Sequence, residues 1–309
     1  MKAANETNPD VTTEVAGIKL NSPLVLASGI LGTSSDILKR VASEGAGAVT
    51  MKSIGPVERE GHPNPNVIEF GFGMLNAVGL PTPGVDNVLQ EMEELKTSPV
   101  PVIASVYGST VDDFVMIVEK LKPYKPAAFE LDISCPNKED GLAFMASEDV
   151  VYKLVSSVKK AAGNIPVIPK LSPNTHSIPR IAAACKKAGA DALCAINTAS
   201  AMVINIEARK PVLAYKKGGL SGPALKPIAV RCVYEAYQAT GLPIIGTGGV
   251  TTGRDAIEMI MAGASAVGMG TAVYYRGISA FREVLGEMKE WMRNNNVRSV
   301  KEIIGAAHY

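Results

Sequence analysis

A chain of 309 residues suits two ordinary domains or one α/β barrel, and 47% hydrophobic against 5% aromatic residues implies a core of Ala, Val, Ile, Leu and Met. A formal charge of +1, from 31 basic and 30 acidic side chains, argues against a general nucleic-acid or anionic-membrane binder. Cys135, Cys185, Cys194 and Cys232 form no C-x-x-C pair and no close group with histidine, so no metal centre is expected, neither structural zinc nor iron–sulfur cluster. A reducing, cytoplasmic compartment fits this cysteine usage. The polar start "MKAANETNPD" lacks a signal-peptide core, and no apolar run nears the roughly 20 residues that span a bilayer.

In chain order, residues 1–11 read as a flexible tail, followed by a hairpin in "TTEVAGIKLNSP" that turns near Ala16-Gly17. Eight short apolar strands are predicted at 23–28, 48–53, 101–106, 128–134, 166–172, 192–197, 243–248 and 266–271. Helix-like segments lie near 35–44, 85–96, 111–122, 148–162, 178–188, 224–240, 253–262 and 279–294. Ser147, Ser177 and Thr252, three residues ahead of Asp255, are start signals. Glycines at 45, 163, 189, 241 and 263 supply left-handed exits. Phe114, Ile117, Val118 and Leu121 form one apolar stripe, as a helix covering a sheet should. Eight β/α units with near-continuous apolar strands read as one closed parallel barrel spanning residues 1–309, with an open doubly wound sheet as the alternative. Connections 54–84 and 198–223 exceed ordinary loops and are expected to be lids or walls.

Polar residues gather where these strands end, which in such barrels is the active-site face. They include Ser28, Lys52, Ser53, Ser105, Asp132, Cys135, Lys170, Asn197 and Thr198. A charged or amide group closing a buried strand must be solvated, paired or bound. "GGLSGPA", "GTGGV" and "GMGT" follow strands six, seven and eight, where bare backbone N–H groups can hold a phosphate. Lys52 and Lys170 read either as Schiff-base lysines or as cations facing developing negative charge. Cys135, set between Ser134 and Pro136-Asn137 at a loop start, reads either as a small apolar residue or as a nucleophile or base; Cys185, Cys194 and Cys232 read as packing. His62, His176 and His308 are expected in solvent, and "EARKPVLAYKKGG" as a basic loop or an edge that meets a partner.

Taken together, "NAVGLPTPG" (76–84), "ISCPN" (133–137), "KLSPN" (170–174), "GGLSGPALKPIAVR" (218–231) and "IIGTGGV" (244–250) make the chain resemble the class 1 dihydroorotate dehydrogenases, most closely the class 1B catalytic subunit. The resemblance covers about residues 12 to 275 and implies a (β/α)8 TIM barrel that binds FMN and oxidises dihydroorotate to orotate in pyrimidine synthesis. It implies that Cys135 removes a proton from ring carbon 5 while the hydride on carbon 6 passes to the flavin. A thiol suits that task because its unperturbed pKa, ~8.5, can be tuned toward neutrality. By the same matching, Lys52, Asn76, Ala77, Val78, Gly79, Leu80, Asp132, Asn137, Asn197 and Thr198 would hold the substrate. FMN would be held by Ser28, Lys52, Ser53, Ser105, Asp132, Lys170, Ile196, Gly222, Gly248, Gly249, Gly270 and Thr271. Class 1B enzymes pass electrons to a partner subunit carrying FAD and a 2Fe–2S cluster, which implies a heterotetramer around a homodimer of this chain, with the class 1A arrangement, a homodimer that uses fumarate, as the alternative.

Two departures stand out. Asp132 and Ser105 occupy positions where the family usually has asparagine. An ionised Asp132 beside an anionic substrate costs about 4 kcal/mol at ~4 Å and an effective dielectric near 20. Protonation, a compensating Lys52 or Lys170, or a different substrate would each relieve it, and compensation is the expectation. Competing readings are a dihydrouracil-type dehydrogenase, a flavin-free lyase using Lys170 as Schiff base, and a noncatalytic ligand-binding subunit.

Overall fold

A computed structural model of the chain describes residues 8–133 and 144–309. Eight parallel strands close on themselves: β1 (Leu24–Leu26), β2 (Ala48–Thr50), β3 (Val102–Val106), β4 (Ala128–Asp132), β5 (Val167–Leu171), β6 (Leu193–Ala195), β7 (Ile244–Thr247) and β8 (Ala266–Met269). They neighbour one another in chain order and β8 returns to β1 through Val267↔Leu24, which is a TIM barrel and excludes the open sheet. The strands are buried along their length, as parallel strands covered by helices must be. Several stop short of their predicted ends: β1 at Leu26, β2 at Thr50 and β6 at Ala195. The residues beyond turn out of the ladder to form the barrel mouth.

Around the barrel run α1 (Ser35–Ser43), α2 (Leu89–Glu94), α3 (Val111–Leu121), α4 (Glu148–Ala162), α5 (Ile178–Lys187), α6 (Lys226–Thr240), α7 (Gly253–Met261) and α8 (Ala280–Asn294). Their ends obey the local chemistry. Ser147 and Ser177 accept from the backbone N–H groups of Val150 and Arg180, and Thr252 with Asp255 forms a full capping box. Gly241 closes α6 in the left-handed region at φ 61. In α3, Phe114, Ile117, Val118 and Leu121 are all buried, as their stripe requires.

The hairpin Thr13–Val15/Ile18–Leu20 turns at Ala16 and Gly17, both with positive φ, the pairing a two-residue hairpin turn needs. Its Val15 and Leu20 pack against Val25, Ile103, Ile168 and Ile245 in the lumen, so the hairpin plugs the amino end of the barrel. The expected flexible tail does not extend through residue 11. Asp10 donates to the Arg298 carbonyl and accepts from the Val300 N–H, both at 2.8 Å, and Val11 is buried.

The two long connections are not independent. Val67–Phe70 and Gly73–Asn76 from the first, with Gly218–Ser221 and Ala199–Ala201 from the second, form one four-stranded antiparallel sheet over the mouth. Two histidines expected in solvent are instead half-buried: His62 stacks on Tyr215 across this junction and His308 stacks on Tyr234, while His176 is exposed. Each ring shields an aromatic face from water. Among the described residues, no helix is long and apolar enough to cross a membrane.

Candidate active site

Between the barrel mouth and the covering sheet lies a cleft of about 370 Å³, within the range of small-molecule sites. The strand ends supply its floor: Ser28, Lys52, Ser53, Asp132, Lys170 and Ile196. Asn197 and Thr198 continue that floor toward the second connection. Asn76, Val78, Gly79 and Leu80 form the opposing wall, and Gly222, Gly248, Gly249, Gly270 and Thr271 close one end. The sequence therefore brings together most of the residues singled out for it. Cys135 and Asn137 lie outside the described residues.

Two predicted contacts do not reach the cleft. Ser105 is wholly buried beneath it, its hydroxyl bonded to Ser53 Oγ and donating to Glu130 Oε1, both at 2.9 Å. It sits at the fourth of five residues in β3, still inside the ladder and below the rim. The Ala77 methyl points the other way, into a small apolar cluster with Leu75 and Leu213, and its backbone N–H and carbonyl pair with Asn66 and His62.

That wall is braced from behind. His62 Nδ1 pairs with the Ala77 carbonyl at 3.0 Å, and the His62 N–H donates to the Val78 carbonyl at 3.0 Å. The Tyr107 hydroxyl donates to the Leu80 carbonyl at 3.2 Å, and Asn76 Nδ2 donates to the Gly219 carbonyl across the sheet. On the floor, Asn174 Nδ2 donates to the Thr198 carbonyl while its Oδ1 accepts from Ser200 N, fixing the start of the second connection. His62 and Tyr107 carry no sequence signal of this role, because the contacts depend on how two distant connections fold together. Asn174, closing "KLSPN", sits in a motif that could have exposed it.

Glu130 is the larger omission. It lies in an apolar strand two residues before Asp132, and the two-residue period puts both on the lumen face. Glu130 Oε1 accepts from Ser28 Oγ at 2.7 Å and lies 3.6 Å from Lys170 Nζ. Lys170 in turn donates to Ser28 Oγ at 2.8 Å. Burial alone would strip the proton from Lys170, but the Glu130 carboxylate, helped by Asp132, outweighs it and holds the ammonium above the usual lysine range. Asp132 faces Lys170 directly in the β4–β5 register and accepts from Asn197 Nδ2 at 3.4 Å. A lysine thus stands where the unusual aspartate needs one.

The described cysteines behave as packing. Burial pushes the Cys185 thiol up to about 12 and the Cys232 thiol to about 11, and it raises Cys194 as well. None of the three supplies a thiolate near neutral pH.

The glycines at the cleft's end divide into two kinds. A Cβ on Gly249, at φ 75, would stand 2.5 Å from Lys226 N, so the chain's own packing forbids any larger residue. A Cβ on Gly270 would meet nothing closer than Ala27 Cβ at 3.8 Å, and its φ is ordinary. The room kept there opens on the cleft, in the manner of a cradle for a bound group.

Residues 10–292 match the family model for dihydroorotate dehydrogenase. The catalytic subunit of dihydroorotate dehydrogenase B (NAD(+)) from Methanosarcina mazei is 47% identical over 296 residues, 95% of this chain and 94% of that one. The subunits of the same name from Pyrococcus abyssi and Thermoplasma acidophilum are 45% and 46% identical, covering 94% and 96% of this chain and 97% and 99% of theirs. Barrel, cleft and sequence agree, and the chain belongs to the dihydroorotate dehydrogenase family.

Proposed function

We propose that this chain oxidises dihydroorotate to orotate in pyrimidine biosynthesis, using FMN held in the cleft. One observation carries the reading: a buried, charge-paired lysine on β5 shares a single cleft with a glycine cradle and an amide-bearing wall. These residues fit a flavin nucleotide. Gly222, Gly248, Gly249, Gly270 and Thr271 would take its phosphate through backbone N–H groups, and Ser28, Ser53, Lys170 and Ile196 would line its ring system. Bound FMN would supply the acceptor for the hydride that leaves ring carbon 6.

The remaining work falls to the chain's side chains. Lys170, held as a cation, would offer fixed positive charge where negative charge develops. Lys52, Asn76, Asn197 and Thr198, with the backbone of 78–80, would orient the substrate's carboxylate and imide edges. Asp132 would touch both ligands, its charge balanced by Lys170. Cys135 is our candidate for the base that takes the proton from carbon 5, and Asn137, two residues on in the sequence, for a further substrate contact. The raised pKa of Lys170 opposes the lyase reading, since a Schiff-base lysine needs its proton removed.

The relatives are catalytic subunits of an NAD-linked enzyme, which supports a partner subunit here. We propose that it carries FAD and a 2Fe–2S cluster and joins a homodimer of this chain in a cytoplasmic heterotetramer. Ile204 and Ile206, exposed on the short hairpin of the second connection, are apolar surface for such contacts.

An anaerobic absorbance titration of the purified protein tests the reading. Dihydroorotate should bleach the flavin bands; an unchanged spectrum with dihydroorotate, or bleaching by dihydrouracil alone, overturns it. Asp132→Asn should bind orotate within about threefold of the parent if Lys170 already balances the charge, and tighter by tenfold or more if it does not.

A further inference from the structure

Glu130 is a buried carboxylate to which the reaction above gives no task. It is 3% exposed and lies one layer beneath the cleft, where Asp132, two residues on, reaches the cleft itself. Burying a carboxylate is unfavourable unless several partners compensate it, and this one has them. Ser28 Oγ and Ser105 Oγ both donate to its Oε1, at 2.7 and 2.9 Å. Ser53 Oγ extends the chain of hydroxyls through Ser105 at 2.9 Å. Because the Ser28 proton goes to Glu130, a lone pair of that hydroxyl is left to accept from Lys170 Nζ at 2.8 Å. Serine 28 is therefore a fixed relay between an anion and a cation.

We propose, resting on the flavin reading above, that Glu130 is a positioning residue of the cofactor site: anchored by Ser105 and acting through Ser28, it fixes the Lys170 ammonium, as a cation, at the floor where the flavin's pyrimidine edge would lie. A lysine buried this deeply without an anion sheds its proton or swings away. Among the described residues, the groups that face Lys170 are Glu130 and Asp132 from β4 and Cys194 from β6, with Lys52 across the cleft floor. Of these, Glu130 is the closest anion and the one joined to it by a hydrogen-bond relay. With Glu130 present, the positive charge offered to a reduced flavin stays constant through the alkaline range. Without it, Asp132 is the carboxylate left facing the ammonium, and the charge is lost at lower pH than in the parent.

The test compares the reduction equilibrium of bound FMN, measured against a reference dye, in the parent and in Glu130→Gln at pH 6.5 and pH 9.5. At the lower pH the variant keeps Lys170 charged with one anion fewer, so its flavin is reduced more readily than the parent's. At the higher pH Lys170 is neutral and that advantage disappears. The variant-to-parent ratio of equilibrium constants should fall at least tenfold between the two pH values. A ratio that stays within threefold overturns the proposal; a purely structural role would lower the melting temperature and leave the ratio flat. If Glu130→Gln does not fold, Ser28→Ala removes the relay together with a pH-independent contact of the flavin site, so its ratio should show the same pH trend at smaller amplitude, and a ratio flat with pH there overturns the proposal. A parent protein that retains no FMN overturns the flavin reading and this proposal together, whereas a flavin-bearing parent with a flat ratio overturns this proposal alone.

Discussion

The two ends of the barrel lumen are built from the same eight strands and do opposite things. At the amino end Val25, Ala48, Ile103, Ala128, Ile168 and Ile245 meet the plug of Val15 and Leu20 in one apolar cluster. Two residues further along, the same inward face carries Ser105, Glu130 and Lys170, with Ser28 just past the end of β1. Strand geometry makes the switch abrupt, since residues i and i+2 share a face about 7 Å apart. The lower layer needs only volume and hydrophobicity. The upper layer needs each donor matched to an acceptor, because an unpaired polar group at that depth costs more than its bond contributes.

Substitutions on β5, which passes through both layers, should separate the two roles most sharply. Ile168 is fully buried in the lower layer, and Lys170 stands in the upper one. Ile168→Ala should lower stability by about 2–5 kcal/mol and leave FMN affinity within about threefold of the parent. Lys170→Met should also destabilise, by about 3–5 kcal/mol, because Glu130 is left buried without its cation. Unlike the first change, it should slow flavin reduction by about 100-fold. Denaturant melts and stopped-flow reduction read both quantities. Equal slowing in the two variants would mean that the layers are not functionally distinct.

A smaller effect should distinguish the glycines of the upper rim. Gly249→Ala pushes a methyl into Lys226 N at 2.5 Å, so it should lower both the melting temperature and FMN affinity. Gly270→Ala meets no atom of the chain closer than 3.8 Å, so the flavin-free protein should melt within about 1 °C of the parent. Its methyl would occupy cradle space and should weaken FMN binding by about tenfold, as fluorescence quenching would show. Unchanged affinity would mean that the phosphate lies elsewhere.

The barrel was largely legible because its signals are local. Apolar strands, the capping residues Ser147, Ser177 and Thr252, and the exit at Gly241 each work within a few residues of sequence. The floor of the cleft was legible for a related reason, since strand ends announce themselves by polar residues after an apolar run. What escaped depends on separations the chain pattern does not encode. The covering sheet pairs Asn76 with Gly219, and the His62–Tyr215 stack joins the same two connections. Ser105 looked like a rim residue because it is polar near a strand end, yet its hydroxyl belongs to a buried network centred on Glu130. Glu130 itself was hidden by standing inside an apolar strand, where one charged letter reads as an exception to the pattern.

The smallest expected effect concerns how the rim is held from outside. Asp255 opens α7, directly after the glycine loop of β7, and accepts from the backbone of Thr251 and Thr252 and from Lys226. Burial alone would raise its pKa, but the Lys226 ammonium and those N–H groups outweigh it and hold the carboxyl below its usual 3.8. A carboxylate whose folded pKa is depressed contributes stability that is present above its unfolded value and lost as pH falls through the folded one. The contribution should therefore be intact at pH 5 and above and disappear below pH 3.8. Asp255→Asn, which keeps the cap's shape without the charge, should cost about 1 kcal/mol at pH 7 and converge with the parent as the carboxyl protonates. Thermal melts from pH 7 downward test this, and a difference that persists undiminished at pH 3 would assign the loss to geometry rather than charge. Lys226 is also the residue whose N–H bars any side chain from Gly249, so this ion pair ties the helix cap to the backbone of the cradle.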